Sequence, residues 1–261
     1  MNEASNASVK SDLADRLRLV LVGTQHPGNI GAAARAMKTM GLARLVLVAP
    51  EKAPDRDTEA MAAGADDLVA AAPVFPSLAE AVADCRLVLG CTARSRRVQL
   101  EELPPRAAAA RAVEMAAAGE EVALVFGRER TGLDNNELQL CHAAVHIPSD
   151  PAFSSLNLAA AVQVLAYELR MALLDGGPSP ATMADLASHA ELEGFFSQLG
   201  ETLDAIDFHK GRAPESAMRK LRRLYLKAGL ERAEVRLLRG VLADAQRMAR
   251  LAGGSGSAGA S

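Results

Sequence analysis

The sequence predicts an α/β fold built on a parallel sheet and followed by a small all-α unit. Three observations carry that reading. Short β-branched and leucine-rich runs alternate with longer helical patterns as far as residue 174, the signature of a sheet with helices on both faces. The stretch Asp175-Gly-Gly-Pro-Ser-Pro180 then interrupts the pattern with two glycines that stop a helix and prolines that cannot continue one. Beyond it the periodicity is helical only. Taken in order, Leu17–Val22, Leu45–Val48, Leu87–Leu89 and Val122–Phe126 read as strands buried on both faces, with Ala144–Ile147 a shorter fifth. Helical patterns lie near 30–40, 77–84, 106–118, 134–141 and 156–174, and after the break near 181–199, 214–228 and 231–251. The expected organisation is an α/β domain over 16–174, a linker at 175–180 and a helical extension over 181–252. Residues 1–15 and 253–261 are expected to be mobile termini.

Composition excludes several classes. The chain has 261 residues, 49% hydrophobic and 23% charged, which is enough to bury a core without disulfides and too apolar for intrinsic disorder. No apolar run approaches the 18 or so residues of a membrane span, and the first residues lack the apolar stretch of a signal peptide. Cys85, Cys91 and Cys141 are odd in number and without CxxC spacing, which argues against a disulfide framework or a zinc knuckle and for a reducing cytoplasm. The net charge of −3 hides an asymmetry. Residues 205–250 hold twelve Lys/Arg against five Asp/Glu, a charge of +7, which leaves −10 on the remainder. A basic segment on an acidic body points to a polyanionic partner, although a solvated helix surface explains the charge alone equally well.

In open α/β sheets ligands bind beyond the carboxyl ends of the strands, so those loops are where chemistry is sought. After the first strand, Pro27-Gly28-Asn29 reads as a turn in which Asn29 caps the following helix. Gly31 admits a second backbone, and Arg35 lies in the second helical turn. After the third comes Gly90-Cys91-Thr92-Ala93-Arg94-Ser95-Arg96-Arg97, small residues followed by an arginine cluster suited to phosphate. After the fourth, glycines flank the charged triplet of Gly127-Arg128-Glu129-Arg130-Thr131-Gly132. Beyond Ile147, the polar turn Ser154-Ser155-Leu156-Asn157 feeds a helix of small residues. Walker, HExxH and GxSxG patterns are absent. The GxGxxG match at Gly254–Gly259 follows a helix and opens nothing. His142 and His146 flank a predicted strand, where a spacing of four does not make a metal pair, so no metal is expected.

Three segments together resemble the motifs of SPOUT-class RNA 2′-O-ribose methyltransferases. They are Asn29-Ile-Gly31-Ala-Ala-Ala-Arg35-Ala, Val125-Phe-Gly127-Arg-Glu129-Arg-Thr-Gly132-Leu, and Ser155-Leu-Asn157-Leu-Ala-Ala-Ala-Val-Gln163, in that order. With Gly41-Leu42 and Cys91-Thr-Ala-Arg-Ser-Arg96, the chain is most similar to the TrmJ-type tRNA (cytidine/uridine-32) 2′-O-methyltransferases over about residues 16–174. The resemblance implies a sheet whose C-terminal part threads a trefoil knot, an exception to unknotted topology. It implies S-adenosyl-L-methionine held by Cys91, Thr92, Ala93, Gly127, Ile147, Ser154, Ser155 and Leu156. It also implies a homodimer, and a target hydroxyl surrounded by Asn29, Arg35, Glu129, Ser155 and Asn157. Arg35 is assigned as a base in some such enzymes, but a guanidinium with a pKa above ~12 is better suited to gripping phosphate and stabilising a developing alkoxide. Glu129 is expected to orient the arginine or the ribose. Arg94, Arg96, Arg97, Arg219, Arg222 and Arg223 are expected to track the tRNA backbone. Aromatics make up only 3% of the chain, without Trp, so base stacking is expected to be minor. Methylation of another tRNA position or of ribosomal RNA, and a non-catalytic RNA-binding scaffold, stay open as alternatives. A nucleotide-binding oxidoreductase is disfavoured by the missing glycine fingerprint after the first strand.

Overall fold

A computed structural model describes residues 12–93, 100–175, 185–210 and 213–254, which fall into two compact units, 1–183 and 184–261. In the first unit the strands β1 (Leu17–Val22), β2 (Arg44–Val48), β3 (Val74–Phe75), β4 (Leu87–Cys91), β5 (Glu101–Leu103), β6 (Val122–Phe126) and β7 (Ala143–Val145) form a parallel sheet in the order β3-β2-β1-β6-β4-β7-β5. β1 and β6 are buried at every residue, as continuous apolar runs demand in a sheet covered on both faces. Alternation sends Val20, Val22, Val88 and Val125 to one face, where they cluster with Leu78, Val82 and Leu138. The helices of this unit are α1 (Pro27–Thr39), α2 (Arg56–Ala62), α3 (Asp66–Ala71), α4 (Leu78–Ala81), α5 (Pro105–Ala117), α6 (Asn135–Gln139) and α7 (Leu158–Leu174).

Two features depart from the sequence reading in ways that matter for the site. Asn29 does not cap α1. The helix opens at Pro27 with His26 as its N-cap, because proline's fixed φ and missing N–H suit the first helical position. Asn29 therefore sits inside the first turn with its side chain free for another use. The structure also contains α2, which the sequence reading passed over. Gly31 explains its closeness to α1: a Cβ there would lie 2.0 Å from the Thr58 carbonyl oxygen. The Thr58 hydroxyl donates to the Pro27 carbonyl at 3.0 Å.

The second unit packs α8 (His189–Ala205), α9 (Pro214–Ala228) and α10 (Arg232–Gly254) around Leu192, Phe195, Phe196, Leu199 and Leu226, with Tyr225 edge-on to Phe195. α8 starts later than the periodicity indicated because Ser188 and Glu191 form a reciprocal capping box. His189 is buried, and desolvation, with the nearby Arg222 charge, lowers its pKa to about 4. A histidine depressed in the folded state stabilises above its unfolded pKa of ~6.5, and that stability is lost as pH falls. Stability should therefore decline between pH 6.5 and 5, above the range where carboxylates titrate, by on the order of 1–2 kcal/mol. Denaturant titrations should show His189→Gln flattening that slope, and an unchanged slope would refute the assignment.

Candidate active site

The carboxyl ends of β4, β6 and β7 sit side by side in the sheet, so the loops that leave them converge. They enclose a cavity of about 400 Å³, within the usual range for small-molecule sites. All eight residues expected to hold a cofactor line it. Cys91, Thr92 and Ala93 come from the end of β4, Gly127 follows β6, Ile147 follows β7, and Ser154, Ser155 and Leu156 precede α7. Phe126, Val145, Leu158 and Ala161 add apolar wall, while Glu129 and Arg130 bring charge to it. Apolar walls, exposed backbone groups and a few charges suit a nucleoside carrying an amino-acid-like arm.

The loop after β6 is tightly folded. Gly132 N donates to the Arg128 carbonyl at 2.8 Å, so the chain reverses within five residues, and a Cβ on Gly127 would meet the Gly132–Leu133 backbone at 2.2 Å. The Arg128 guanidinium contacts both Glu137 carboxylate oxygens at 3.0 Å, and Glu137 also closes the capping box of α6 with Asp134. Arg128 is thus a brace of the loop, a role the charged triplet did not separate from its neighbours. Its sequence signal was Asp134-x-x-Glu137, a capping-box pattern that places a carboxylate nearby.

Glu129 is the centre of a directional hydrogen-bond chain. Its Oε2 accepts from the Gln25 N–H at 2.9 Å, and its Oε1 accepts from the His26 N–H at 3.1 Å and from Asn29 Nδ2 at 2.8 Å. Asn157 Nδ2 donates to Asn29 Oδ1 at 3.1 Å, and Asn157 Oδ1 in turn caps α7 by accepting from Ala159 and Ala160 N–H. Burial opposes ionisation of Glu129, but the hydrogen bonds from Asn29 and the Gln25 backbone outweigh it and hold the carboxyl below the usual range. The first turn of α1, the loop after β6 and the start of α7 are locked together through three side chains that lie far apart in sequence.

Of the residues expected at the reaction centre, the structure thus brings Asn29, Glu129 and Asn157 into one network, and Ser155 into the cavity with Glu129. Arg35 does not join it: its side chain is exposed on α1 with no hydrogen bond or ion pair among the described residues. Arg94, Arg96 and Arg97 lie outside the described residues. Arg219 and Arg223 are exposed on α9. Arg222 differs from the expectation of a phosphate-facing side chain: it is only 14% exposed, lies 4.5 Å over the Phe196 ring and pairs with Glu193. Burial lowers its pKa to about 10, so it stays charged within the core of the second unit. Among the described residues no group of three His, Cys, Asp or Glu is placed to hold a metal ion.

Comparison with known proteins places this geometry in context. Residues 16–167 match the SpoU rRNA methylase family, and residues 190–254 match the C-terminal domain of the tRNA methyltransferase TrmJ. The chain is 49% identical over 248 residues to the tRNA (cytidine/uridine/adenosine-2′-O-)-methyltransferase TrmJ of Pseudomonas aeruginosa, covering 91% of this chain and 96% of that protein. It is 47% identical over 240 residues to the tRNA (cytidine/uridine-2′-O-)-methyltransferase TrmJ of Salmonella typhimurium, covering 89% and 97%. The crystal structure of TrmJ from Z. mobilis superposes with a TM-score of 0.77 at 38% identity, covering 87% of this chain and 97% of that one.

Proposed function

The chain belongs to the SpoU methylase family and carries a TrmJ-type C-terminal domain, and from that premise we propose that it methylates the ribose 2′-hydroxyl of cytidine or uridine at position 32 of the tRNA anticodon loop. The observation that carries this reading is the cavity at the ends of β4, β6 and β7 with the Asn29–Glu129–Asn157 chain beside it. A second reading, in which adenosine is also accepted, is favoured by the broader substrate named for the P. aeruginosa relative.

S-Adenosylmethionine bound in the cavity supplies a methyl group that is already electrophilic. The protein's task is to align the hydroxyl and stabilise its developing negative charge. Glu129 is ill suited to removing the proton, since three donors occupy its carboxylate and favour its charged form. Its role is to fix Asn29 and the 25–26 backbone. Arg35, exposed and without an internal partner among the described residues, grips phosphate and offsets the alkoxide charge. Ser155 places a hydroxyl at the cavity wall.

The proposal extends to a cytoplasmic homodimer with active sites completed at the interface. The position of β7 between β4 and β5 is compatible with the trefoil threading that the family resemblance implies. Among the described residues no helix is long and apolar enough to cross a membrane. The helical second unit, joined through the 175–180 stretch, grips tRNA through exposed cations such as Arg219 and Arg223. The test is methyl transfer from labelled S-adenosylmethionine to bulk tRNA, followed by mapping of the product. A 2′-O-methyl pyrimidine at position 32 is expected, and a base-methylated product or no incorporation would overturn the reading. In the same assay Arg219→Glu with Arg223→Glu should weaken tRNA affinity roughly tenfold and flatten its salt dependence.

A further inference from the structure

We propose that Phe153 is the stacking platform for the base of the nucleotide being methylated. The inference rests on the functional reading above and identifies how that site holds its substrate. Phe153 is 84% exposed, the most exposed of the large hydrophobic residues described in this structure. A single exposed apolar side chain is ordinary on a protein surface, so exposure alone means little. Placement is what distinguishes this one. The next two residues, Ser154 and Ser155, line the cavity, so Phe153 is carried by the loop that forms part of its wall.

The backbone that carries the ring is built as a turn. Phe153 N donates to the Asp150 carbonyl at 2.9 Å, Ala152 N donates to the Asp150 carboxylate at 2.8 Å, and the Ser149 hydroxyl donates to the Ser154 carbonyl at 3.0 Å. These bonds fix a short loop whose apex is an unburied aromatic. The chain has only six Phe and two Tyr, and Phe126, Phe195 and Phe196 are spent in the cores of the two units.

A nucleotide in a loop must leave its stack to present a 2′-hydroxyl inside a cavity, and its base then needs a new surface. Aromatic side chains supply that surface without choosing among bases. Arg130 lines the same cavity, is exposed, and has no hydrogen-bond or ion-pair partner among the described residues. It offers a cation for a phosphate flanking that nucleotide. The low aromatic content thus conceals one ring where it is useful.

The test uses the full-length protein and tRNA carrying pyrrolocytidine, a fluorescent pyrimidine quenched by stacking, at the position mapped in the transfer assay. Phe153→Ala should lower kcat/KM for tRNA on the order of tenfold and abolish the fluorescence change on binding. The KM for S-adenosylmethionine should not change. Phe153→Tyr should restore both signals, whereas Phe153→Leu should behave like the alanine variant, because an apolar side chain without a planar face cannot stack. Wild-type behaviour of Phe153→Leu, or conversion of a dimer to monomers by Phe153→Ala, would overturn the proposal. A wild-type enzyme that transfers methyl groups beside an unimpaired Phe153→Ala variant refutes the platform alone. Absence of transfer by the wild type removes the functional reading as well.

Discussion

Gly127→Ala is expected to weaken binding of S-adenosylmethionine about a hundredfold. The added Cβ would lie 2.2 Å from both the Gly132 carbonyl carbon and Leu133 N, and 2.6 Å from the Gly132 oxygen. Those atoms are backbone, so no side-chain rotation relieves the clash. Nor can the backbone retreat, because Leu133 is buried with Leu138 and Val125 in the core on one face of the sheet. The strain must open the reversal held by Gly132 N and the Arg128 carbonyl. Glu129 and Arg130 ride on that reversal, so the cavity wall and the hydrogen-bond chain move together. Overpacking of this kind costs about 3 kcal/mol, or about a hundredfold in affinity if it falls on the bound state. Calorimetric titration measures it directly. Gly194→Ala is the control, since its Cβ would meet only the end of Arg239 at an ordinary 3.6 Å. Near-normal binding by Gly127→Ala would mean that the loop after β6 is not part of the cofactor site.

What the sequence revealed followed from how far each signal reaches. β1 and β6 were legible because burial on both faces leaves an unbroken apolar run. β3 has two residues and β5 three, with β5 exposed at two of them, so neither shows a period to detect. α2 and α3 escaped for a different reason: they bury only Thr58, Ala62 and Leu68, and their remaining faces are polar or small. The residues lining the cavity could be listed one by one, because in a parallel sheet the strand ends dictate where a ligand sits and the family resemblance named the positions. The roles of Asn29 and Arg222 were not legible. Asn29 is a good capping residue by type, yet its partners Glu129 and Asn157 are more than ninety residues away. Arg222 counted toward a basic surface, while its true surroundings, Phe196 and Glu193, lie on another helix. Charge counting reports composition, and only packing decides which charges face outward.

Glu129→Gln is the second change with a large expected effect, and it separates an anchor from a base. The carboxylate receives three N–H donors and offers acceptors only. An amide must turn its NH₂ toward Gln25 N–H or toward the pair from His26 and Asn29, placing donor against donor. Asn29 cannot flip to compensate, because its Oδ1 already accepts from Asn157. Asn157 in turn cannot flip without uncapping α7. The mismatch is therefore confined to the joint between α1 and the loop after β6, at a cost of about 1–3 kcal/mol for each unsatisfied donor. Turnover should fall on the order of a hundredfold. Affinity for S-adenosylmethionine should change much less, since most of the cavity wall is untouched. The pH profile distinguishes the two roles. A carboxyl depressed in the folded state keeps its contribution above the ordinary glutamate pKa of ~4.3 and loses it only as pH falls through its lower folded value. The part of kcat/KM that depends on Glu129 should therefore be flat from pH 5 to 8. A titration between pH 6 and 7 that disappears in Glu129→Gln would instead identify Glu129 as the general base, and the hydrogen-bond chain would then have to break each time substrate binds.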